Sequence, residues 1–321
     1  MNRPIRANRY MLFLIMYQLL VAQTIFILVS RRLNYPWFNT AIQTVLVQVL
    51  YLFVPFVFYV LLTKQSVKKI LPLNPLGITN IGLIILMCIS IQPVMMLLSA
   101  ISLLFFENNV VNIISDTGTS IFLIIIAVSI LPPILEEINF RGIIMQNYRK
   151  VDIKKSAIIN GLFFGIIHMD PQQFLYASFL GAIFTYFVHY TKSIFASILA
   201  HFVINFSQVM LAQFFISITQ NSEIDVANIA NESTQSDIIS GLIFMAVVSA
   251  IFLPAFIIMF INFIKHNLHR NVTIEMSSDH CNDEYEELNI VFVDQQILTP
   301  SFWFVISIYI ATMAYLIISF N

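Results

Sequence analysis

The sequence predicts an all-α, polytopic transmembrane helix bundle of about eight to nine spans with a cytoplasmic N-terminus. Three observations lead there. The chain is 59% hydrophobic and 10% charged, where soluble domains carry about 25% charge, and its mean hydropathy is +0.85. Apolar runs use up most of its 321 residues. Its basic residues, finally, fall almost wholly on alternate connections, as the positive-inside rule requires.

A hydrocarbon core of about 30 Å takes about 20 apolar residues per helix. Nine stretches are candidates: 10–29, 41–62, 80–106, 119–147, 156–169, 172–190, 193–218, 237–264 and 300–320. The first follows Arg3, Arg6 and Arg9, as a signal peptide would. Its run is too long for one, and Ser30-Arg31-Arg32 offers no small-residue cleavage site, so a retained span is expected. The third and eighth are long and contain Pro93 and Pro254, which predicts tilting or breakage. The fifth is short, placing the Met169-Asp170-Pro171 turn below the outer interface. With the N-terminus inside, Arg3, Arg6, Arg9, Lys64, Lys68, Lys69, Arg149, Lys150, Lys154, Lys155, Lys192, Lys265 and Arg270 all lie inside. Only Arg31 and Arg32 lie outside, and Arg141 sits within a span. The outer connections 107–118 and 219–236 are acidic or polar. The inner loop 265–299 carries Asp283-Glu284-Tyr285-Glu286-Glu287 and reads as solvated surface.

This divides the chain into N-terminal transmembrane helices (1–118), a helical core (119–218) and C-terminal transmembrane helices (219–321), in a multi-pass protein of the cell membrane. A net charge of −1 gives no case for nucleic acid. Cys88 lies in an apolar run and Cys281 in a polar loop, so neither a disulfide nor a cysteine metal site is expected.

Within 121–145 stand Glu136, Glu137 and Arg141. Ionisable groups at bilayer depth are costly and point to function. Glu137 and Arg141 are four apart, share a helix face and are able to pair; the expected role of that pair is structural. Glu136 is rotated about 100° away and has no local cation, which suits a general base. The plainer reading has both glutamates bonded to backbone or neighbouring helices. Pro132 and Pro133, one turn earlier, predict a kink that frees backbone carbonyls.

Two later spans add His168, four residues after Phe164, and His201 with Asn205, which extend a stripe from Ser193 and Ser197. Gly161 and Gly165 allow a close helix approach. Counted from the nearest basic or polar span end, Glu136 lies about 20 Å deep, His168 about 18 Å, His201 about 14 Å and Asn205 about 20 Å. Three helices thus deliver polar groups to a similar level. Imidazole and amide N–H groups so spaced are able to donate to one oxyanion; interhelical hydrogen bonding is the plainer alternative. A Ser197–His201 nucleophile pair has poor geometry on one helix, and His189, His266, His269 and His280 read as non-catalytic. No HExxH, GxSxG, phosphate-binding loop or dinucleotide fingerprint is present.

Taken together, E-E-x-x-F-R-G at 136–142, F-G-x-x-H at 164–168 and H-x-x-x-N at 201–205 resemble the motif set of the CPBP intramembrane proteases. That family groups CAAX prenyl protease 2 type enzymes with bacteriocin-processing, immunity and lysostaphin-resistance-like (Abi) membrane proteins. The resemblance covers residues 119–215. It implies an endopeptidase acting on a membrane-associated or lipid-modified protein or peptide. Glu136 and His168 would activate water, His201 and Asn205 would stabilise the oxyanion, and Glu137 with Arg141 would be structural. The family is often labelled metalloprotease. Glu136, His168 and His201 would then be the ligands of a zinc ion; a metal-free, glutamate-activated water fits equally and is preferred. Peptide or lipidated-protein substrate and membrane lipids are the expected partners. A non-proteolytic scaffold or bacteriocin-immunity factor using the same pocket is the alternative. A transporter is disfavoured by the lack of repeated halves.

Overall fold

The computed structural model describes residues 3–32, 40–106, 119–221, 235–277 and 297–320. Most of the outer connections, His280, Cys281 and the acidic run 283–287 lie outside the described residues.

The described residues form ten helices in chain order: α1 (3–32), α2 (40–63), the single turn α3 (Val67–Ile70), α4 (Ile78–Leu103), α5 (Ile121–Asn147), α6 (Ile153–Ile167), α7 (Pro171–Thr191), α8 (Ile194–Asn221), α9 (Gln235–Ser277) and α10 (Pro300–Phe320). Among the described residues there is no strand, only an isolated antiparallel bridge between Leu73 and Ser193. Seven helices among the described residues are long and apolar enough to cross a membrane: α1, α2, α4, α5, α8, α9 and α10. The fifth and sixth expected spans are α6 and α7, a helical hairpin. With 15 residues, α6 rises about 22 Å, short of a hydrocarbon core of about 30 Å.

Two expectations are corrected. Pro93 and Pro254 do not break their helices, since both α4 and α9 run continuously through them. The eighth span does not give way to a loop at 265, because α9 continues to Ser277. Polar residues end an apolar run but not a helix, and no Gly or Pro intervenes between Lys265 and Ser277.

The segments expected on one side are gathered at one end of the bundle. Asn8 of α1 donates to the Ile297 carbonyl and to Thr299 Oγ1, both at 2.8 Å, and accepts from the Tyr148 hydroxyl beyond α5. The segment after α3 meets the α7–α8 turn: Ser193 Oγ donates to the Asn74 carbonyl at 2.5 Å and Asn74 Nδ2 to the Lys192 carbonyl at 2.7 Å. Asn80 of α4 and Asn267 of α9 exchange amide bonds at 2.8 and 2.9 Å. These polar pairs fix which helix ends meet, while apolar packing holds the rest.

Two large apolar clusters make up most of the interior among the described residues. One joins α1, α5, α6 and α10 through Leu14, Phe140, Phe163 and Val305; the other joins α4, α7, α8 and α9 through Ile84, Phe184, Ala200 and Phe263. Outward-facing Leu61, Phe122, Ile251 and Ile310 are exposed, the surface a lipid-facing helix presents. Phe164 on α6 and Phe184 on α7 touch across the boundary between the clusters, with ring centroids 6.3 Å apart.

The hairpin is close because its glycines leave room. A Cβ on Gly161 would stand 2.5 Å from the Ser178 carbonyl oxygen, and one on Gly181 would stand 2.7 Å from Phe164 Cβ. Gly161→Val therefore forces α6 from α7 and is expected to cost about 1–3 kcal/mol or more, seen as a lowered unfolding midpoint in detergent. Gly82→Ala, inside α4 where an added Cβ meets nothing within 4 Å, does not lower the midpoint, since Ala favours a helix interior over Gly.

Candidate active site

α5 places the carboxylates, and its backbone is irregular on both sides of them. The helix is π-helical over Ile125–Ile130 and again over Ile138–Ile144, with an ordinary α segment, Leu131–Glu137, between. Such wide turns are frequent at functional sites. The Leu131 N–H donates five residues back, to Ile126. In that register the next two donors would be residues 132 and 133, reaching Ala127 and Val128. Both are prolines and have no N–H to give. Other helices supply the missing donors: Gln48 Nε2 of α2 binds the Ala127 carbonyl at 2.7 Å, and Asn205 Nδ2 of α8 binds the Val128 carbonyl at 2.9 Å.

Asn205 is thus an interhelical donor to a proline-freed carbonyl, with its second amide hydrogen left for other work. Asn205→Leu and Gln48→Leu are each expected to destabilise the folded protein by about 0.6–2 kcal/mol. Unfolding in mixed micelles would measure this; two unshifted midpoints would reject the account.

Glu137 is fully buried. Its Oε2 lies 3.0 Å from Arg141 Nε, as the four-residue spacing predicts. Its Oε1 lies 3.2 Å from His201 Nδ1, an interaction the sequence reading missed. Since the carboxylate facing Arg141 is an acceptor, Nδ1 carries the proton; Nε2 is then an acceptor in neutral imidazole and a donor only in imidazolium. Arg141 is also fully buried. Its Nη2 donates to the Gly181 carbonyl at 2.9 Å, and its guanidinium carbon lies 4.7 Å from the Phe164 ring centroid and 5.4 Å from that of Phe184. The same two rings pack on the His201 imidazole, at 5.7 and 5.4 Å. One aromatic pair therefore positions both partners of Glu137, and Phe164 also meets the His168 ring edge to face at 5.5 Å.

Glu136 points elsewhere. It is buried, and among the described residues its Oε2 has no hydrogen-bond partner. That oxygen lies 3.9 Å from Nε2 of His168, a part-exposed residue at the C-terminal end of α6. The gap is too wide for a direct hydrogen bond and of the kind a shared polar molecule bridges. After His168 the chain reverses through Met169 in the left-handed region, φ 49°. Asp170 then caps α7 by accepting from the Gln172 N–H at 2.9 Å, and Gln172 reaches Ser99 of α4 at 2.8 Å.

Four of the six expected site residues thus form two pairs, Glu136–His168 and Glu137–His201, while Arg141 holds Glu137 and Asn205 binds the Val128 carbonyl. Among the described residues no three His, Cys, Asp or Glu side chains come together to hold a metal ion. His201 turns Nδ1 to Glu137, which leaves Nε2 as the nitrogen that a metal ion held by Glu136, His168 and His201 would take. Ser193 and Ser197, the start of the expected stripe, bond to backbone carbonyls of Asn74 and Ile194.

The family model described as type II CAAX prenyl endopeptidase, Rce1-like, matches residues 118–207. The segment runs from the start of α5 past both histidines and Asn205, and includes every residue of the two pairs. Over these residues the chain is similar to that endopeptidase family. A Bacillus subtilis (strain 168) protein, named "Putative membrane peptidase YdiL", is 36% identical to this chain over 100 residues, which cover 31% of this chain and 41% of that protein. No solved structure matches the chain significantly. The sequence reading also missed Gln48 and the stacking on Phe184. Gln48 did leave a signal: a polar side chain in an otherwise apolar span is costly unless it has a partner.

Proposed function

We propose that the protein is an intramembrane endopeptidase that hydrolyses a peptide bond of a membrane-associated or lipid-modified protein or peptide. One observation carries this reading: Glu136 Oε2, buried and without a hydrogen-bond partner among the described residues, faces His168 Nε2 at 3.9 Å. A carboxylate and an imidazole so placed suit a water molecule held between them. Glu136 takes a proton as the water oxygen attacks the substrate carbonyl carbon. The C–N bond then breaks, and the same proton passes to the leaving amine. His201, as imidazolium, donates from Nε2 to the developing oxyanion, joined by the second amide hydrogen of Asn205. Glu137 acts through His201, fixing which nitrogen faces the substrate, while Arg141 anchors Glu137. The match to a peptidase family over this same segment supports the assignment.

The test is cleavage by the purified protein in liposomes, using a membrane-anchored reporter peptide and its prenylated counterpart, with products identified by mass spectrometry. New termini within the reporter support the reading. A biological role that persists unchanged in both Glu136→Ala and His168→Ala variants would favour a scaffold or immunity factor instead.

A further inference from the structure

At the basic end of the bundle, α1 and α2 diverge around a groove of about 470 Å³. Its mouth is formed by Arg6, Arg9, Thr63 and Gln65, and its walls by Tyr10, Phe13, Phe58 and Tyr59. The aromatic floor is ordered: Tyr10 and Tyr59 meet edge to face at 4.9 Å, and Phe13 stacks on Phe58 at 5.9 Å. Both arginines are exposed, and Phe58 and Leu62 open outward at 47% and 67% exposure. Phe13 lies about 10 Å further along the helix than Arg6, so the groove passes from cationic to apolar over the depth at which a phospholipid passes from phosphate to acyl chain. Basic pockets between transmembrane helices on the cytoplasmic side are suited to anionic head groups.

We infer that this groove binds an anionic phospholipid, its phosphate at Arg6 and Arg9 and its acyl chain along Phe13 and Phe58. The site is tied to the catalytic helix. The Tyr10 hydroxyl donates to Asn139 Oδ1 at 2.5 Å, and Asn139 Nδ2 donates to the Leu52 carbonyl of α2 at 3.1 Å and to the Leu135 carbonyl at 2.7 Å. Both helices flanking the groove thus grip one buried residue, two positions past Glu137. An occupying lipid holds α1 and α2 at the spacing that this three-way contact needs. This coupling rests on the proteolytic reading above; the binding itself does not.

The test is native mass spectrometry of the full chain titrated with phosphatidylglycerol or phosphatidylcholine, with proteolysis measured in liposomes of each lipid. Phosphatidylglycerol is expected to bind more tightly than phosphatidylcholine, and Arg6→Gln/Arg9→Gln to weaken it on the order of tenfold. Lys68→Gln/Lys69→Gln, which removes the same charge from the same end of the bundle, leaves binding unchanged. Equal binding of the two lipids, an unaffected arginine variant, an equal loss in the lysine variant, or a lipid-insensitive dimer covering the groove would each overturn the proposal. Lipid-selective binding with no cleavage in either liposome would leave the site standing and count against the proteolytic reading alone.

Discussion

Glu136→Gln is expected to reduce cleavage by about 10²–10⁴-fold while the protein folds and extracts as the wild type does. The substitution keeps volume and removes the one function assigned to this side chain, accepting a proton. Glu136 Oε2 has no hydrogen-bond partner among the described residues, so a neutral amide there breaks no hydrogen bond of that oxygen, and Glu137 still neutralises Arg141 at 3.0 Å. Cleavage and unfolding should therefore separate: the loss falls on kcat, and the unfolding midpoint moves little. His168→Ala should show the same separation, because its nearest charged neighbour is Glu136 at 3.9 Å. Undiminished cleavage by Glu136→Gln would remove this residue as the base.

Arg141→Met is expected to do the reverse, failing at folding before catalysis can be measured. It leaves the Glu137 carboxylate, wholly buried, without its cation and facing His201 at 3.2 Å and the Ser197 hydroxyl. Breaking a buried pair by deleting one partner costs about 3–5 kcal/mol, a large part of a typical stability margin of about 5–15 kcal/mol. The double variant Glu137→Gln/Arg141→Met removes both charges and should recover a folded protein, since replacing a buried pair as a whole is often close to neutral. The recovered protein should remain a poor enzyme, because His201 has lost the carboxylate that selects its proton-bearing nitrogen. Thermal unfolding in detergent reads the first effect and reporter cleavage the second. A stable Arg141→Met protein would show that the pair does not carry this load.

Much of this was legible in the residues, and the failures share one cause. Helix identity followed from apolar run length. The Glu137–Arg141 contact followed from a spacing of four, which holds locally even inside a distorted helix. The close hairpin followed from Gly161 and Gly165. What sequence spacing could not give was which acid each histidine faces. That depends on how far α5 has rotated when it reaches residue 136, and the π-helical turns on either side of the glutamates change the rotation. The sequence grouped His201 with Glu136 and His168 and gave no sign that its Nδ1 meets Glu137. For Asn205 the sequence offered interhelical bonding as the plainer reading, without its partner. Its acceptor, the Val128 carbonyl, becomes free only because two consecutive prolines coincide with a five-residue hydrogen-bond register. The length of α9 was misjudged because hydropathy marks where a helix leaves lipid, not where it unwinds.

The stitching of α5 to its neighbours bears on modularity. The stretch matched by the family, residues 118–207, looks like a portable cassette. Yet one of its two open carbonyls is closed from outside by Gln48, and Asn139 is clasped by Tyr10 and by the backbone at Leu52. Grafted onto foreign flanking helices, the cassette would carry its reactive groups intact but lose the braces that aim them. Any shuffling of this core between proteins must therefore bring replacements for α1 and α2 that offer an amide and a hydroxyl at the same depths.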